Sequence, residues 1–349
     1  MNNNNTLIER IFSLSAGRAC RQAGRRGIQK KVTDSQTGGD FNALALQVFN
    51  YQYKHVPIYR QFCDAIGRTQ PNHYMEIPFL PISFFKTHDV FNAAAISDES
   101  ILFKSSGTTL NLRSQHHVAE PSIYERSFYQ TFTRFIASPK EAIVFALLPN
   151  YMEQGNSSLI YMVDSFINKS AHPLSGFYLY EADKLLESIQ KARKENRQII
   201  LFGVSYALLD LAEEEIDLSD VIIIETGGMK GRRKEMIRAE LHERLCEGLH
   251  VSKVYSEYGM SELLSQAYTD GTDLFEAPAW MKVLIRDVND PFELLLAGKT
   301  GGVNVIDLAN IYSCSFIATD DLGNKRKNKF KIVGRFDQSD IRGCNLLVN

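Results

Sequence analysis

Between residues 141 and 260 the chain alternates short, uninterrupted apolar runs with longer amphipathic segments, and this pattern constrains the fold more than any other feature. The runs lie at 142–148, 177–180, 199–202, 221–224 and 251–255, and helical periodicity fills stretches such as 182–195 and 231–246. A strand with one wet face alternates apolar and polar residues, whereas a strand that is apolar at every position is covered on both sides. The expected architecture is therefore α/β, a doubly wound and mostly parallel sheet, and the 44% hydrophobic content of the 349 residues is ample for its core. Past Gly271 the helical period fades. Strand-like runs at 281–285, 303–308, 316–318 and 330–333 recur between Gly and Asp turns, so this part is expected to be β-rich.

Ahead of the core, residues 1–40 read as a basic polar leader, with Arg18, Arg21, Arg25, Arg26, Lys30 and Lys31 preceding the first acid of that run, Asp34. No aromatic residue interleaves these charges as a nucleic-acid platform requires, so a solvated leader is the expectation. Phe41, Leu44, Ala45, Val48 and Phe49 have the spacing of an amphipathic helix that Pro57 ends or kinks. Pro78 and Pro81 hold their predecessors extended, so 77–86 should lay an aromatic strip on the core. Tyr124, Phe128, Phe132, Phe135 and Ile136 mark one face of a further helix.

A net charge of −2 gives no global attraction for nucleic acid, and no apolar run approaches the ~18 residues of a membrane span. The five cysteines (Cys20, Cys63, Cys246, Cys314 and Cys344) are odd in number and widely spaced, which argues against a disulfide framework or zinc site. With no apolar signal stretch at Met1–Asn5, a reducing cytoplasm is the expected location.

Ligands of open α/β sheets sit beyond the carboxyl ends of strands, which directs attention to the segment after each apolar run. Ser105, Ser106, Gly107, Thr108 and Thr109 follow Ile101-Leu102-Phe103 and offer four hydroxyls and backbone N–H groups, the donors a polyphosphate needs. Thr226, Gly227 and Gly228 follow 221–224, where paired glycines admit a flat ligand. Tyr258 and Glu262 follow 251–255, an aromatic face for a base and a carboxylate for a hard cation. Asp320 and Asp321 follow 316–318 and suit a ribose diol; Gly334-Arg335-Phe336-Asp337 follows 330–333.

Other motifs point elsewhere. Gly298-Lys299-Thr300 ends like a phosphate loop, but Glu293 stands where the first glycine is needed, so a hairpin turn is expected. Gly203-Val204-Ser205-Tyr206-Ala207 has the setting of a nucleophile elbow and opens the alternative of a serine acyl-hydrolase, although the last histidine is His250. The His116-His117 pair has no metal spacing. Lys325, Arg326, Lys327, Lys329 and Lys331 read as a solvated hairpin or as a docking patch for an acidic partner.

Taken in order, Ser-Ser-Gly-Thr-Thr, Thr-Gly-Gly, Tyr-Gly-Met-Ser-Glu, Thr-Asp-Asp-Leu-Gly and Gly-Arg-Phe-Asp resemble the motif set of the adenylate-forming superfamily of acyl- and aryl-CoA synthetases and firefly luciferase. The resemblance runs from about Ile77 to the end. Ile341-Arg342-Gly343 is similar to phenylacetate-CoA ligases. Cys344 near the terminus, Leu148-Pro149-Asn150-Tyr151 and Thr226-Gly227-Gly228-Met229-Lys230 resemble the bacterial acyl-protein synthetases that serve bioluminescence, the long-chain-fatty-acid luciferin-component ligases.

The resemblance implies a large lobe over 41–335 (α/β core 141–260, β-rich part 271–335), a short tail 336–349, and a small C-terminal domain that is missing or vestigial. It implies that Ser105, Ser106, Gly107, Thr108 and Thr109 hold the phosphates of ATP, that Gly227, Gly228 and Tyr258 frame adenine, that Glu262 holds Mg2+, and that Asp321 and Arg335 bind ribose. Thr108, Glu262 and Cys344 would be catalytic, Cys344 as the acyl-carrying thiol. The implied reaction activates a fatty or related carboxylic acid as acyl-adenylate and passes the acyl group to a protein thiol, with an acyl reductase or acyl-carrier protein as partner; a CoA ligase is the alternative. Two departures stand out: Leu110-Asn111 replaces the usual Gly-Lys after the threonines, and the adenylation lysine of the small domain has no counterpart, which leaves Lys104 and Lys230 as substitutes.

Overall fold

The computed structural model describes residues 2–14, 34–105, 113–148, 156–227 and 236–336. They divide into two compact units, one built from Met1–Phe84 with Ala279–Asn349 and the other from Phe85–Pro278. Compactness thus places the boundaries at 84 and 278, where the sequence pattern suggested shifts near 40 and 260–271.

The first unit opens with helix α1 (Asn2–Ser13). The segment read as the start of a leader here buries Ile8, Ile11 and Phe12, and Phe12 meets Trp280 edge-on at 4.9 Å between ring centroids. A three-residue apolar stripe was too short a signal against the surrounding asparagines; Trp280, distant in sequence, supplies the surface it covers. Helix α2 (Asp34–His55) buries Phe41, Leu44, Ala45, Val48 and Phe49, the face that the spacing predicts. It also buries Gln52, whose amide donates to the carbonyls of Asn310 (2.8 Å) and Ile311 (3.0 Å) and accepts from the Ser315 N–H (3.0 Å), so the enclosed polar group is satisfied. Pro57 stands at the first position of helix α3 (Pro57–Ala65), where a missing N–H costs nothing. The Pro78 carbonyl accepts from Tyr59 Oη at 2.7 Å, and β1 (Leu80–Pro81) follows before the single helical turn α4 (Phe84–Thr87).

The second unit begins with an antiparallel pair, β2 (Ile101–Lys104) and β3 (Gln115–Val118). Helix α5 (Pro121–Phe135) buries Tyr124, Phe128 and Phe132 of the expected stripe, while Phe135 and Ile136 are half-buried. Then come β4 (Ala142–Leu147), α6 (Ser158–Ser170), β5 (Gly176–Phe177), α7 (Ala182–Ala192), β6 (Gln198–Val204), α8 (Ser205–Ala212), β7 (Val221–Thr226), α9 (Arg238–Gly248), β8 (Tyr255–Tyr258), β9 (Ala267–Tyr268) and β10 (Phe275–Glu276). The order β5-β4-β6-β7-β8 is parallel throughout, and β9 and β10 continue it antiparallel. Every residue of β4 is buried, as a strand covered on both faces requires.

One strand lies elsewhere than its apolar run. Val251 and Val254 are buried, but they belong to the turn out of α9, where His250 adopts φ +54° and the Val251 N–H bonds back to the Cys246 carbonyl. β8 starts only at Tyr255, so Ser256 and Glu257 are strand residues rather than loop residues. A short apolar run reports burial, and burial does not distinguish a ladder from a packed turn.

The first unit closes with an antiparallel meander, β11 (Met281–Arg286), β12 (Thr300–Asp307), β13 (Phe316–Arg326) and β14 (Lys329–Arg335), with β1 parallel to β13. Gly298, at φ +88°, lies in the connection to β12, where the Lys299 N–H bonds the Leu296 carbonyl in a turn. Thr319–Gly323 and Gly334-Arg335, read from sequence as turns, lie inside these long strands. The Gly and Asp residues mark bulges: the β12–β13 register passes from Gly302↔Leu322 to Asn304↔Ala318, and the β13–β14 register from Leu322↔Gly334 to Gly323↔Ile332. No helix among the described residues is long and apolar enough to cross a membrane.

Candidate active site

The Ser/Thr motif begins at Ser105, directly after β2 of the antiparallel β2–β3 pair. The pair is closed there twice, by the Ser105 N–H on the Ser114 carbonyl (3.1 Å) and by the Ser114 N–H on Ser105 Oγ (3.0 Å). Ser106, Gly107, Thr108 and Thr109 lie outside the described residues, as do Gly228, Lys230 and Cys344. Lys104, half-buried at the end of β2, donates its backbone N–H to the Asn156 carbonyl at 2.8 Å.

Two residues into β3, His116 reaches the carbonyl of Ser261 at 2.7 Å. A carbonyl only accepts, so Nδ1 carries the proton. His116 is buried and its ring meets Phe85 edge-on at 5.7 Å. This one bond ties the hairpin to the turn that carries Glu262, itself buried at 5% exposure. Tyr258 closes β8 with 8% exposure, its ring 5.7 Å from that of Phe275. Gly227 follows β7, and among the described residues no atom stands within 4 Å of where its side chain would project.

Beneath these positions is a polar network that the sequence motifs pass over. Glu225 is buried in β7; Ser205 Oγ donates to its Oε2 at 3.1 Å and Ser256 Oγ to its Oε1 at 2.6 Å. His242 Nε2 lies 2.9 Å from Ser256 Oγ and 3.8 Å from Glu225 Oε1, and Arg238 Nε lies 3.6 Å from the same oxygen. Burial alone would push the Glu225 carboxyl up, but the nearby His242, the hydrogen bond from Ser256 and the Arg238 charge outweigh it and hold the carboxyl below its ordinary value. Glu257, next along β8, behaves in the opposite way. Burial, with the Glu225 charge adding to it, pushes it up to about 7, although Thr226 Oγ1 donates to its Oε2 at 2.9 Å. The signal for both residues was an acid just after a short apolar run, 221–224 for Glu225 and 251–255 for Glu257.

The network decides the role of Ser205. It does sit at a strand-to-helix turn, the first residue of α8, but it is 2% exposed and its φ is not positive, unlike the strained nucleophile of an elbow. A hydrolytic triad places histidine between serine and acid, whereas here Glu225 stands between Ser205 and His242, so the serine proton is directed at a carboxylate and not at a histidine. Among the described residues, the serine acyl-hydrolase alternative therefore lacks its histidine base at Ser205.

In the other unit, Asp321 and Arg335 are register partners across β13 and β14, and Arg335 Nε donates to Asp321 Oδ1 at 2.9 Å. Of the basic run on that hairpin, Arg326 and Lys327 are exposed, and Lys327 turns the chain at φ +56°. Lys325 is instead half-buried, and burial, helped by Lys282, pushes its pKa down. Among the described residues no three His, Cys, Asp or Glu side chains form a metal-binding group. The described cysteines Cys63, Cys246 and Cys314 are free thiols, and burial pushes Cys63 up to about 12.

No protein-family model matches the chain, and no curated protein matches it. Solved structures do. ATP-bound MatB from Rhodopseudomonas palustris aligns with a TM-score of 0.52 at 17% identity, over 67% of this chain and 47% of that one. The 2-hydroxyisobutyryl-CoA ligase in its postadenylation state with R3-HIB-AMP aligns with a TM-score of 0.64 at 11% identity, over 90% of this chain and 73% of that one. The same ligase with 2-HIB-AMP and CoA in the thioesterification state aligns with a TM-score of 0.63 at 11% identity, over 91% and 74%. The chain thus spans about half the length of MatB and about three quarters of the ligase. At these identities the likeness establishes the fold, a mixed α/β architecture that matches the large lobe of adenylate-forming enzymes.

Proposed function

We propose that this protein activates a carboxylic acid with ATP, forming an acyl-adenylate, and transfers the acyl group to a thiol. The observation that carries this reading is the hydrogen bond from His116 to the Ser261 carbonyl, which joins the hairpin bearing the Ser/Thr loop to the turn bearing Glu262. Phosphate donors and a cation-holding carboxylate are the two parts that phosphoryl chemistry needs side by side. The fold shared with ligases captured with ATP, acyl-AMP and CoA supports the same conclusion.

In this reading Ser105, Ser106, Gly107, Thr108 and Thr109 bind the phosphates, Gly227, Gly228 and Tyr258 receive adenine, and Asp321 and Arg335 receive the ribose. Mg2+ on Glu262 would supply charge neutralisation for the phosphates. A carboxylate oxygen of the substrate attacks the α-phosphorus, the bond from that phosphorus to the bridging oxygen breaks, and pyrophosphate leaves. A thiolate sulfur then attacks the acyl carbon, the bond to the AMP oxygen breaks, and AMP leaves as the thioester forms. The chain's own contribution is to hold the reactants in line and to offset developing charge with fixed donors.

For the acceptor, the CoA-bound neighbour favours CoA. The second reading is a protein thiol, Cys344 itself, five residues from the end of the sequence, with Arg342 favouring its thiolate, a fatty acid as substrate, and an acyl reductase or carrier protein as the next acceptor. A pyrophosphate-exchange assay over a panel of carboxylic acids tests the adenylation step; exchange that needs both acid and Mg2+ is expected, and its absence with every acid overturns the reading. Adding CoA, or tracing a hydroxylamine-labile acyl label on wild type and Cys344→Ser, separates the two acceptors.

A further inference from the structure

Arg286, the last residue of β11, is half-buried among the strands that carry Asp321 and Arg335. Opposite Val303 of β12, the partner strand spends three residues, Thr319, Asp320 and Asp321, because the register moves from Asn304↔Ala318 directly to Gly302↔Leu322. A bulge of that size takes carbonyls out of the ladder, and buried carbonyls need donors. The Arg286 guanidinium supplies them: Nη1 donates to the Val303 carbonyl (2.8 Å) and to Asn304 Oδ1 (2.9 Å), and Nη2 to the Thr319 carbonyl (2.7 Å). Thr319 Oγ1 closes the arrangement by donating to the same Val303 carbonyl (2.9 Å) and accepting from the Asp321 N–H (3.2 Å).

Room for the guanidinium comes from Gly302, where a Cβ would fall 2.5 Å from Arg286 Cζ. Above it lies Phe336, its ring centroid 5.6 Å from Cζ and its N–H on the Asp320 carbonyl at 2.7 Å. Burial pushes the Arg286 pKa down from its ordinary value, and the Asp320 and Asp321 charges act against that push.

We infer that Arg286 is a positioning residue for nucleotide binding, filling the β12–β13 bulge so that Asp321 meets a ribose diol in one fixed orientation beside Arg335. The inference rests on the proposed adenylating function and goes beyond it, since Arg286 belongs to none of the binding motifs and acts only through the backbone it holds. A planar fork is needed to serve carbonyls on two strands at once, which a lysine ammonium does not reproduce.

The test compares the affinity of the full chain for Mg·ATP and for Mg·2′,3′-dideoxy-ATP by titration calorimetry in wild type, Arg286→Met and Arg286→Lys, with a melting curve for each. Wild type should prefer ATP by about ten- to a hundredfold, the worth of hydrogen bonds to a charged group. In Arg286→Met the preference should fall towards one while dideoxy-ATP, held by its phosphates, binds as before; Arg286→Lys should fall between. A wild-type preference near one overturns the ribose assignment and the inference with it. A clear wild-type preference that both variants keep leaves the ribose assignment standing and overturns the role of Arg286. Should Arg286→Met fail to fold, Arg286→Lys decides by the same ratio.

Discussion

At the carboxyl ends of β6, β7 and β8 the Glu225 carboxylate is enclosed on every side, whereas on β14 Arg335 leaves 75% of its side chain in solvent although it pairs with the buried Asp321. Both are ionic arrangements at proposed nucleotide-binding positions, and they are built for different ends. The first is dry, so each of its groups must be satisfied by the others: Ser205, Ser256, His242 and Arg238 all converge on one carboxylate. It fixes the strands on which Thr226, Gly227 and Tyr258 stand. The second keeps its arginine in solvent, which in the proposed site leaves N–H groups of Arg335 facing a ligand. Rigidity is placed one step back, in the bulge that Arg286 fills.

The largest effect expected from this contrast is on stability. Glu225→Gln keeps the volume but sets an amide N–H2 against hydroxyl donors and leaves Arg238 and His242 without their carboxylate, so a loss of about 3 kcal/mol is expected in urea unfolding at pH 7. Because the Glu225 carboxyl lies below its ordinary value in the folded state, its contribution is present at neutral pH and is lost as pH falls through the folded value, so wild type and variant should converge in acid. A variant as stable as wild type at pH 7 would mean that the network is not a mainstay of these strand ends.

Glu257→Gln should act in the opposite direction. Folding raises this group from 4.5 to about 7, so the folded state holds the extra proton and stability falls as pH rises between those values. The glutamine removes that loss. It should be neutral near pH 4 and more stable than wild type at pH 8, by about 2 kcal/mol after allowance for relaxation around the site. Melting temperatures across that range check it, and a constant offset with pH would break the assignment of the raised value to Glu257.

The smallest stability effect belongs to the wet pair. Arg335→Gln should change unfolding by less than about 1 kcal/mol, as exposed ion pairs do. Its consequence should fall on nucleotide affinity instead, so a variant that loses stability while binding ATP normally would reverse the comparison between the two regions.

How much of this was legible beforehand differs by element. The largely buried β4, β6 and β7 announced themselves, because a run such as 199–202 with no polar interruption has few ways to be dry other than in a covered parallel strand. The hydroxyl-rich stretch after β2 and the Tyr258 to Glu262 segment stand out by residue type within a few positions, and their roles belong to the proposed function. The start of β8 was not legible, because Val251 and Val254 are as buried in a turn as they would be in a ladder. Nor was α1, whose short apolar stripe means little until Trp280 is brought against it.

The sequence by itself determined the α/β and β-rich character of the two stretches and singled out the segments on which the proposed function rests, because local periodicity and functional-group chemistry are properties of neighbouring residues. Tertiary structure alone decided that Ser205 serves Glu225 rather than a histidine base, that His116 joins the β2–β3 pair to the Glu262 turn, and that Arg286 fills the bulge beside Asp321. Each of these is a contact between segments tens to more than a hundred residues apart, set by strand order, register and one bulge, and no local pattern encodes it.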